Sequence, residues 1–298
     1  MSITSSTPEL APRSLRFVGS QGNRLEADGW GPADGRPILL MHGGGQTRHA
    51  WGGTAEALAL DGYNVTSLDL RGHGDSEWAP DGDYSHDSLR DDVLRVIDEL
   101  SGPPAIVGAS LGGIAGLLAA GETGPGTATA LVLVDIAPRM EPRGVLRIRQ
   151  FMTGHPDGFA SLDEAADAIA GYRPERPRPK DVSGLEKNLR RGTDGRWRWH
   201  WDPRFVSRSD EVTDPATVTA TAMYRRMKSA AETVDVPTLL VRGKLSDLLS
   251  EEGAAEFRQL VPHAEYVDVR DAGHMVAGDR NDVFTSAVTA FLERVLPL

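Results

Sequence analysis

The chain has 298 residues, a formal net charge of −11 and no cysteine. A chain of this length fits one domain that carries a sizeable insertion. The missing cysteines exclude disulfides, thiolate nucleophiles and cysteine-based zinc sites, and they agree with a cytoplasmic location. Nucleic-acid binding needs a basic surface, so the acidic balance argues against that class of function.

Two stretches could be mistaken for targeting or membrane segments. Residues 1–13 have neither a basic start nor an apolar run, so we expect a flexible tail rather than a signal peptide. Residues 105–121 carry no charge and approach the length of a membrane span. Five glycines interrupt this run, and its first half is strand-like while its second half is helix-like. We therefore do not interpret it as a membrane span.

Short apolar runs typical of buried strands alternate along the chain with helical patterns. The first two runs, at 14–19 and 24–30, predict a hairpin. Six further runs predict parallel strands buried on both faces, at 37–43, 63–70, 104–110, 129–135, 237–243 and 264–269. Helical patterns fall at 48–60, 86–100, 111–120, 251–261 and 282–295. This alternation predicts an α/β fold with right-handed crossovers.

The alternation stops between about residues 137 and 230. This region includes a stretch rich in proline and arginine at 172–180 and the sequence RWRWHW at 196–201, and it shows no buried-strand pattern. We therefore expect a core made of residues 14–136 and 231–298. A mostly helical cap over residues 137–230 is expected to interrupt it.

The sequence GASLG at residues 108–112 matches the pattern G-x-S-x-G. It lies between a predicted strand and a predicted helix, which is the setting of a nucleophile elbow. The turn is so tight there that side chains at the flanking positions would collide, so glycine is needed. The turn also places the hydroxyl of Ser110 at a helix N-terminus, which favours developing negative charge. We therefore predict that Ser110 is a nucleophile.

A serine hydroxyl needs a base to take its proton. Among the eight histidines, His274 lies in the sequence DAGHMV, after the last predicted strand and before the last predicted helix. A loop at that position can reach the sheet edge where Ser110 lies, so we predict that His274 is the base. His42 and His73 lie in glycine-rich turns, where structural roles are expected.

The acid that orients His274 has two candidates. Asp247 lies four residues after a predicted strand and completes the chain order Ser–Asp–His. Asp135, which ends the preceding predicted strand, is the alternative. We favour Asp247, and we interpret Asp69 in DLRGHGDS as a structural turn residue.

Acyl transfer also needs hydrogen-bond donors for an oxyanion. The backbone N–H of Leu111, directly after the serine, is one expected donor. The second is expected in the glycine loop after the strand at 37–43, where we choose Gly44 and keep its neighbours Gly43 and Gly45 as alternatives.

Taken together, these motifs resemble those of the α/β-hydrolase superfamily. The resemblance rests on HGGG at 42–45, DLRGHGDS at 69–76, GASLGG at 108–113, RGKLSD at 242–247 and DAGH at 271–274. It covers nearly all of the expected core, and it extends to the capped branch of epoxide hydrolases, haloperoxidase-like esterases and carbon–carbon bond hydrolases. It implies an α/β-hydrolase fold, with a mostly parallel central sheet of about eight strands, helices on both faces and an inserted cap.

One residue departs from part of that branch. Epoxide hydrolases and haloalkane dehalogenases have an aspartate at the elbow, whereas this chain has Ser110. The resemblance therefore implies a serine acyl-enzyme, and we predict a carboxylic ester hydrolase that needs no metal and no organic cofactor.

The substrate is expected to be a small to medium, largely apolar ester. Trp197, Trp199 and Trp201 alternate, so in an extended segment they would share one face. They could line an apolar pocket or anchor the cap to the core. We predict substrate contacts for Gly45, Trp199 and Met275.

Three other functions are alternatives. A carbon–carbon bond hydrolase or a cofactor-free perhydrolase would use the same three catalytic groups. A ligand receptor built on this scaffold would bind without turnover. The expected partner is a small-molecule ester, with no nucleic acid and no membrane span, and the chain is expected to be a monomer or a homodimer.

Overall fold

The structure is a computed structural model that describes residues 11–173, 178–207, 221–275 and 281–298. Most of the expected N-terminal tail lies outside the described residues. Its last residue, Arg13, already begins the first strand.

Eight strands form the central sheet. They are β1 (Arg13–Val18), β2 (Arg24–Trp30), β3 (Pro37–Met41), β4 (Asn64–Leu68), β5 (Ala105–Ala109), β6 (Ala130–Val134), β9 (Thr238–Gly243) and β10 (Glu265–Val269). Their order in the sheet is β1-β2-β4-β3-β5-β6-β9-β10. The β1–β2 and β2–β4 pairs are antiparallel and the others are parallel. The predicted strands and the leading hairpin are thus confirmed, but β10 is an edge strand whose residues are exposed or half-buried, so the expectation that it is buried on both faces is wrong.

The helices alternate with these strands. They are α1 (Gly52–Leu60), α2 (His86–Glu99), α3 (Leu111–Thr123), α4 (Pro142–Thr153), α5 (Leu162–Tyr172), α6 (Arg204–Ser207), α7 (Ala222–Thr233), α8 (Glu251–Leu260) and α9 (Thr285–Val295). No helix in the described ranges is both long and apolar enough to cross a membrane.

Two apolar clusters cover the two faces of the sheet, because successive side chains of a strand point to opposite faces. On β5, Ile106 joins the cluster that contains residues of α2, α3 and α8. Its neighbours Ala105 and Val107 join the cluster that contains residues of α1 and α9. The sheet is therefore buried between helices, as in the predicted α/β-hydrolase fold.

The segment between β6 and β9 has its own apolar cluster, which includes Phe151, Phe159 and Trp199. It contains α4, α5 and α6 and also a two-stranded antiparallel sheet of β7 (Leu189–Arg191) and β8 (Trp197–Trp199). The sequence pattern did not predict these two strands, since each has only three residues. Part of the stretch rich in proline and arginine, residues 174–177, lies outside the described residues.

Helix α7 packs on the core rather than with that segment. Its buried residues Met227, Ala230 and Ala231 belong to the cluster around α3. The expected boundary between residues 230 and 231 therefore falls within α7. A sequence pattern cannot reveal this, because an amphipathic helix has the same apolar stripe whichever surface it covers.

Candidate active site

Ser110 lies in the turn between β5 and α3. Its backbone has φ 44° and ψ −110°, a conformation that non-glycine residues rarely adopt and that costs about 1–3 kcal/mol. Two backbone hydrogen bonds hold the turn, from Ser110 N to the Val134 oxygen at 3.1 Å and from Ile114 N to the Ser110 oxygen at 2.9 Å. The predicted strand–turn–helix setting is confirmed.

Close packing explains the glycines around this serine. A Cβ added at Gly108 would lie 2.4 Å from the carbonyl carbon of Gly112. One added at Gly112 would lie 2.6 Å from Cβ of Met41, and one at Gly113 would lie 2.4 Å from Cγ2 of Ile136. Helix α3 can therefore approach the sheet closely enough to begin directly after Ser110.

His274 is buried in the loop after β10, and its partner is Asp135. The distance from Nδ1 of His274 to Oδ2 of Asp135 is 2.8 Å. Asp135 is 2% exposed, and its carboxylate also accepts hydrogen bonds from the Ser246 hydroxyl at 2.7 Å and from the Gly243 N–H at 3.0 Å. Three donors thus surround this buried carboxylate, as a buried negative charge requires.

The expectation that Asp247 contacts His274 is therefore wrong. The Asp247 carboxylate accepts a hydrogen bond from Nη1 of Arg147 at 2.8 Å, and its side chain is 31% exposed. The hydroxyl of the preceding residue, Ser246, contacts Asp135 instead. Position in the sequence could not distinguish the two aspartates, because both follow strands that end at the same edge of the sheet.

Backbone geometry explains why Asp135 faces inward. It directly follows β6, which lies between β5 and β9, and its N–H donates to the Val241 oxygen at 2.7 Å. Its φ of 55° is in the left-handed region, which aspartate tolerates better than most residues. The chain turns sharply here, with Asp135 next to the Val134 carbonyl that holds Ser110.

The loop at residues 43–46 follows β3 and contains the predicted oxyanion donor Gly44, so we call it the oxyanion loop. Gly43 N–H is already occupied, since it donates to Oε1 of Gln46 at 2.9 Å. The N–H groups of Gly44 and Leu111 donate to no acceptor within the described part of the chain. Both groups are therefore available to a ligand, which supports the choice of Gly44 over Gly43.

The histidines of the two glycine-rich turns are buried and neutral. Burial lowers the pKa of His42 to about 4 and that of His73 to about 3. Nε2 of His42 accepts from Leu70 N at 3.1 Å, and its Nδ1 lies 2.8 Å from the Gly43 oxygen. With Nδ1 protonated, His42 thus connects the oxyanion loop to the loop after β4, which is a structural role.

Asp69 also has the structural role predicted for it. It is fully buried, and burial raises the pKa of its carboxyl. It accepts hydrogen bonds from the backbone and side chain of Arg48 and from Asp75 N. The hydrogen bonds of Asp69 therefore connect the turn after β4 to the start of the short helix at residues 48–51.

Apolar side chains of the segment between β6 and β9 lie over the oxyanion loop. A Cβ added at Gly45 would lie 3.2 Å from Cε of Met152 and 3.3 Å from Cζ3 of Trp201. One added at Gly44 would lie 3.5 Å from Cε1 of Phe205. The sequence did not predict a role for Phe205, because α6 is too short to give a pattern.

The predicted substrate residues differ in their surroundings. Trp199 packs within the apolar cluster of its own segment, and its ring stacks on Trp201 with centroids 5.1 Å apart. Met275 is buried against the core, and its sulfur accepts from Nη1 of Arg173 at 3.4 Å. Of the tryptophans, Trp201 approaches Gly45. The substrate contacts of Gly45, Trp199 and Met275 stay predictions.

Comparison with known proteins agrees with the fold. A family model for the alpha/beta hydrolase fold matches residues 36–280. Esterase Rv0045c of Mycobacterium tuberculosis is 28% identical in an alignment of 284 residues that covers 92% of this chain and 88% of that protein. The 3-hydroxybutyrate-oligomer hydrolase of Cupriavidus necator is 31% identical in an alignment of 263 residues that covers 85% of this chain and 87% of that protein.

A solved structure has the same fold. The crystal structure of E-2-(acetamidomethylene)succinate hydrolase matches with a TM-score of 0.79 at 24% identity, over 95% of this chain and all of that one. The family model covers most of the chain, and one relative is more than 30% identical over most of it. The chain therefore belongs to the alpha/beta hydrolase family, and its relatives support hydrolase activity.

Proposed function

We propose that this protein is a carboxylic ester hydrolase that forms an acyl-enzyme on Ser110. The observation that carries the proposal is the buried contact between His274 and Asp135 at the sheet edge where the strained Ser110 turn lies. A neutral imidazole held by a carboxylate is the arrangement that activates a serine hydroxyl.

In the first half of the reaction, Oγ of Ser110 bonds to the ester carbonyl carbon while its proton passes to Nε2 of His274. The carbonyl oxygen then carries the negative charge, and the N–H groups of Gly44 and Leu111 stabilise it. The bond to the alcohol oxygen breaks, and the leaving alcohol takes the proton from His274. Asp135 keeps the imidazole oriented and stabilises its protonated form.

In the second half, a water molecule attacks the acyl carbon and gives a proton to His274. The bond from the acyl carbon to Oγ breaks, and Ser110 takes that proton back. The balance is one ester and one water consumed, with one carboxylic acid and one alcohol released. Each step uses groups of this chain and water alone.

The surroundings of the oxyanion loop support an apolar substrate. Met152, Trp201 and Phe205 lie against Gly44 and Gly45, so they would contact an acyl or alcohol group bound there. All three belong to the segment between β6 and β9, which we propose as a cap over the site. The esterase and oligomer hydrolase names of the relatives support ester chemistry.

The test of this proposal replaces Ser110 by alanine and measures hydrolysis of esters with varied acyl and alcohol groups. The Ser110→Ala variant is expected to lose about 10⁴-fold or more in kcat. The matched control, Ser286→Ala, changes an exposed serine on α9 and is expected to keep the parental rate. A fluorophosphonate probe is expected to add its mass to the peptide that contains Ser110 and to no peptide of the alanine variant.

Other outcomes would assign a different activity. Ester hydrolysis that survives in Ser110→Ala would overturn the proposal. Labelling of Ser110 without ester turnover would direct the assay to a vinylogous diketone, or to peroxide with a short carboxylic acid. A chain that neither reacts with the probe nor turns over would be assigned to ligand binding. The cytoplasmic location and the monomeric or homodimeric state also stay predictions.

A further inference from the structure

Two buried amide side chains connect the oxyanion loop to the chain that follows His274. Nε2 of Gln46 donates to Oδ1 of Asn281 at 3.1 Å, and Nδ2 of Asn281 donates to Oε1 of Gln46 at 3.2 Å. The two residues are separated by 235 positions in the sequence and are almost completely buried. A reciprocal amide pair of this kind satisfies groups that would be costly to bury alone.

The same amide oxygen holds the oxyanion loop. Oε1 of Gln46 accepts the N–H of Gly43 at 2.9 Å, and the backbone N–H of Gln46 donates to the Gly43 oxygen at 3.0 Å. The peptide groups on either side of Gly43 are thus both fixed by Gln46. The second of these groups contains the N–H of Gly44 and is held at the Gly43 oxygen, which contacts the backbone N–H of Gln46 and also Nδ1 of His42 at 2.8 Å.

The neighbour of Asn281 strengthens the connection. A carboxylate oxygen of Asp282 accepts the backbone N–H of Thr54 at 2.9 Å and its hydroxyl at 3.2 Å, at the start of α1. Asn281 and Asp282 therefore bind the oxyanion loop and the helix that follows it. This places the chain after the predicted base and the chain that carries the predicted oxyanion donor in one hydrogen-bonded unit.

We propose that Gln46 and Asn281 are positioning residues that keep the Gly44 N–H aimed at the oxyanion. This inference rests on the proposed ester hydrolysis, because it assigns Gly44 the role of donor. Neither side chain needs to touch the substrate. Asn281 acts through Gln46, and Gln46 acts through the peptide groups of Gly43.

The experiment compares Gln46→Met, Asn281→Leu and the double variant with the parent chain. Methionine has nearly the length of glutamine but cannot accept the Gly43 N–H. Loss of one oxyanion donor typically lowers kcat by about 10²–10³-fold, so a misdirected donor in Gln46→Met is expected to lower it by about 10–100-fold. KM is expected to change by less than about threefold, because the contact acts mainly in the transition state.

Binding of a trifluoromethyl ketone, which forms an oxyanion on reaction with serine, gives a second readout. Its affinity is expected to fall in parallel with kcat in Gln46→Met. The double variant is expected to lose no more than Gln46→Met alone, since the two amides act as one unit. If Gln46→Met does not fold, Asn281→Leu decides the matter through the same kcat and inhibitor measurements, with a smaller expected loss.

A matched control removes a buried amide elsewhere. Asn23→Leu deletes the hydrogen bond from Nδ2 of Asn23 to Oδ2 of Asp92 at 3.3 Å, next to the hairpin turn. It is expected to lower thermal stability while leaving kcat and inhibitor affinity near the parental values. Folded Gln46 and Asn281 variants with kcat and inhibitor affinity within twofold of the parent would overturn the inference. That result, with Ser110→Ala inactive, would leave the proposed function standing.

Discussion

The loops after β6 and β9 lie side by side, and each carries an aspartate, yet only one of these aspartates faces His274. Asp135 follows its strand directly, is 2% exposed and accepts three hydrogen bonds. Asp247 lies four residues beyond β9, pairs with Arg147 and is 31% exposed in its side chain. The backbone path after a strand, rather than the strand that comes before, therefore decides which carboxylate enters the site.

The loop after β9 nevertheless contributes to the site through other groups. The Ser246 hydroxyl and the Gly243 N–H both donate to Asp135. Ser246 also accepts the N–H groups of Leu248 and Leu249, each at 3.1 Å, which fixes the turn. The loop after β6 therefore supplies the carboxylate, and the loop after β9 supplies donors that hold it.

The largest expected difference between the two loops is in catalysis. Asp135→Asn keeps the shape of the side chain and tolerates the left-handed φ, but it removes the charge that orients and stabilises the imidazole of His274. We expect kcat for ester hydrolysis to fall by about 10⁴-fold. The matched variant Asp247→Asn is expected to change kcat by less than about threefold, because its partner is an arginine near the surface.

Both variants are to be compared by steady-state kinetics on the same ester, with circular dichroism as the check of folding. The reverse pattern, a severe loss in Asp247→Asn and a mild one in Asp135→Asn, would show that Asp247 replaces Asp135 during turnover. Asp247, the acid that the sequence favoured, would then be the partner of His274 in catalysis.

The backbone of Asp247 is tightly packed, although its side chain is not buried. Helix α4 begins against this loop, and a Cβ added at Gly144 would lie 2.3 Å from the Asp247 carbonyl oxygen. We expect Gly144→Ala to lower the free energy of unfolding by about 1–3 kcal/mol through overpacking. Urea denaturation measures this loss.

The control for that measurement is Gly171→Ala in α5, where an added Cβ would meet no atom within 4 Å. Alanine there is expected to raise stability by about 0.5–1 kcal/mol through helix propensity. Equal stability of the two variants would show that α4 does not depend on close contact with the loop after β9.

The smallest expected effect concerns Ser246 in the loop after β9. Ser246→Ala removes one of the three donors to Asp135 and leaves the others in place. A hydrogen bond to a charged group contributes about 1.5–3 kcal/mol, and partial replacement by water would leave a loss of about tenfold in kcat. Steady-state kinetics on the ester used for the aspartate variants measures this loss.

Ser250→Ala is the matched control, because the Ser250 hydroxyl caps α8 by accepting Gly253 N at 3.1 Å. It is expected to cost about 1 kcal/mol of stability and to leave kcat unchanged. If both serine variants keep full activity, the donors of the loop after β9 serve stability alone.

Much of the fold could be predicted from the sequence, since strands buried on both faces leave continuous apolar runs and the helices between them leave amphipathic patterns. The nucleophile elbow could also be predicted from the sequence, because only glycine fits where α3 packs closely against β5 and β3. Short elements were not predictable. Three-residue strands such as β7 and β8 and the four-residue helix α6 are too brief to show a period.

Local patterns of apolar residues and glycine specify the order of the core strands and helices along the chain and the position of Ser110 at a tight turn. Three contacts depend on the folded chain: Asp135 faces His274, Phe205 lies beside Gly44, and Gln46 contacts Asn281. These contacts join residues far apart in the chain. They depend on the three-dimensional path of loops, and the local sequence of a loop does not specify which distant side chain it will meet.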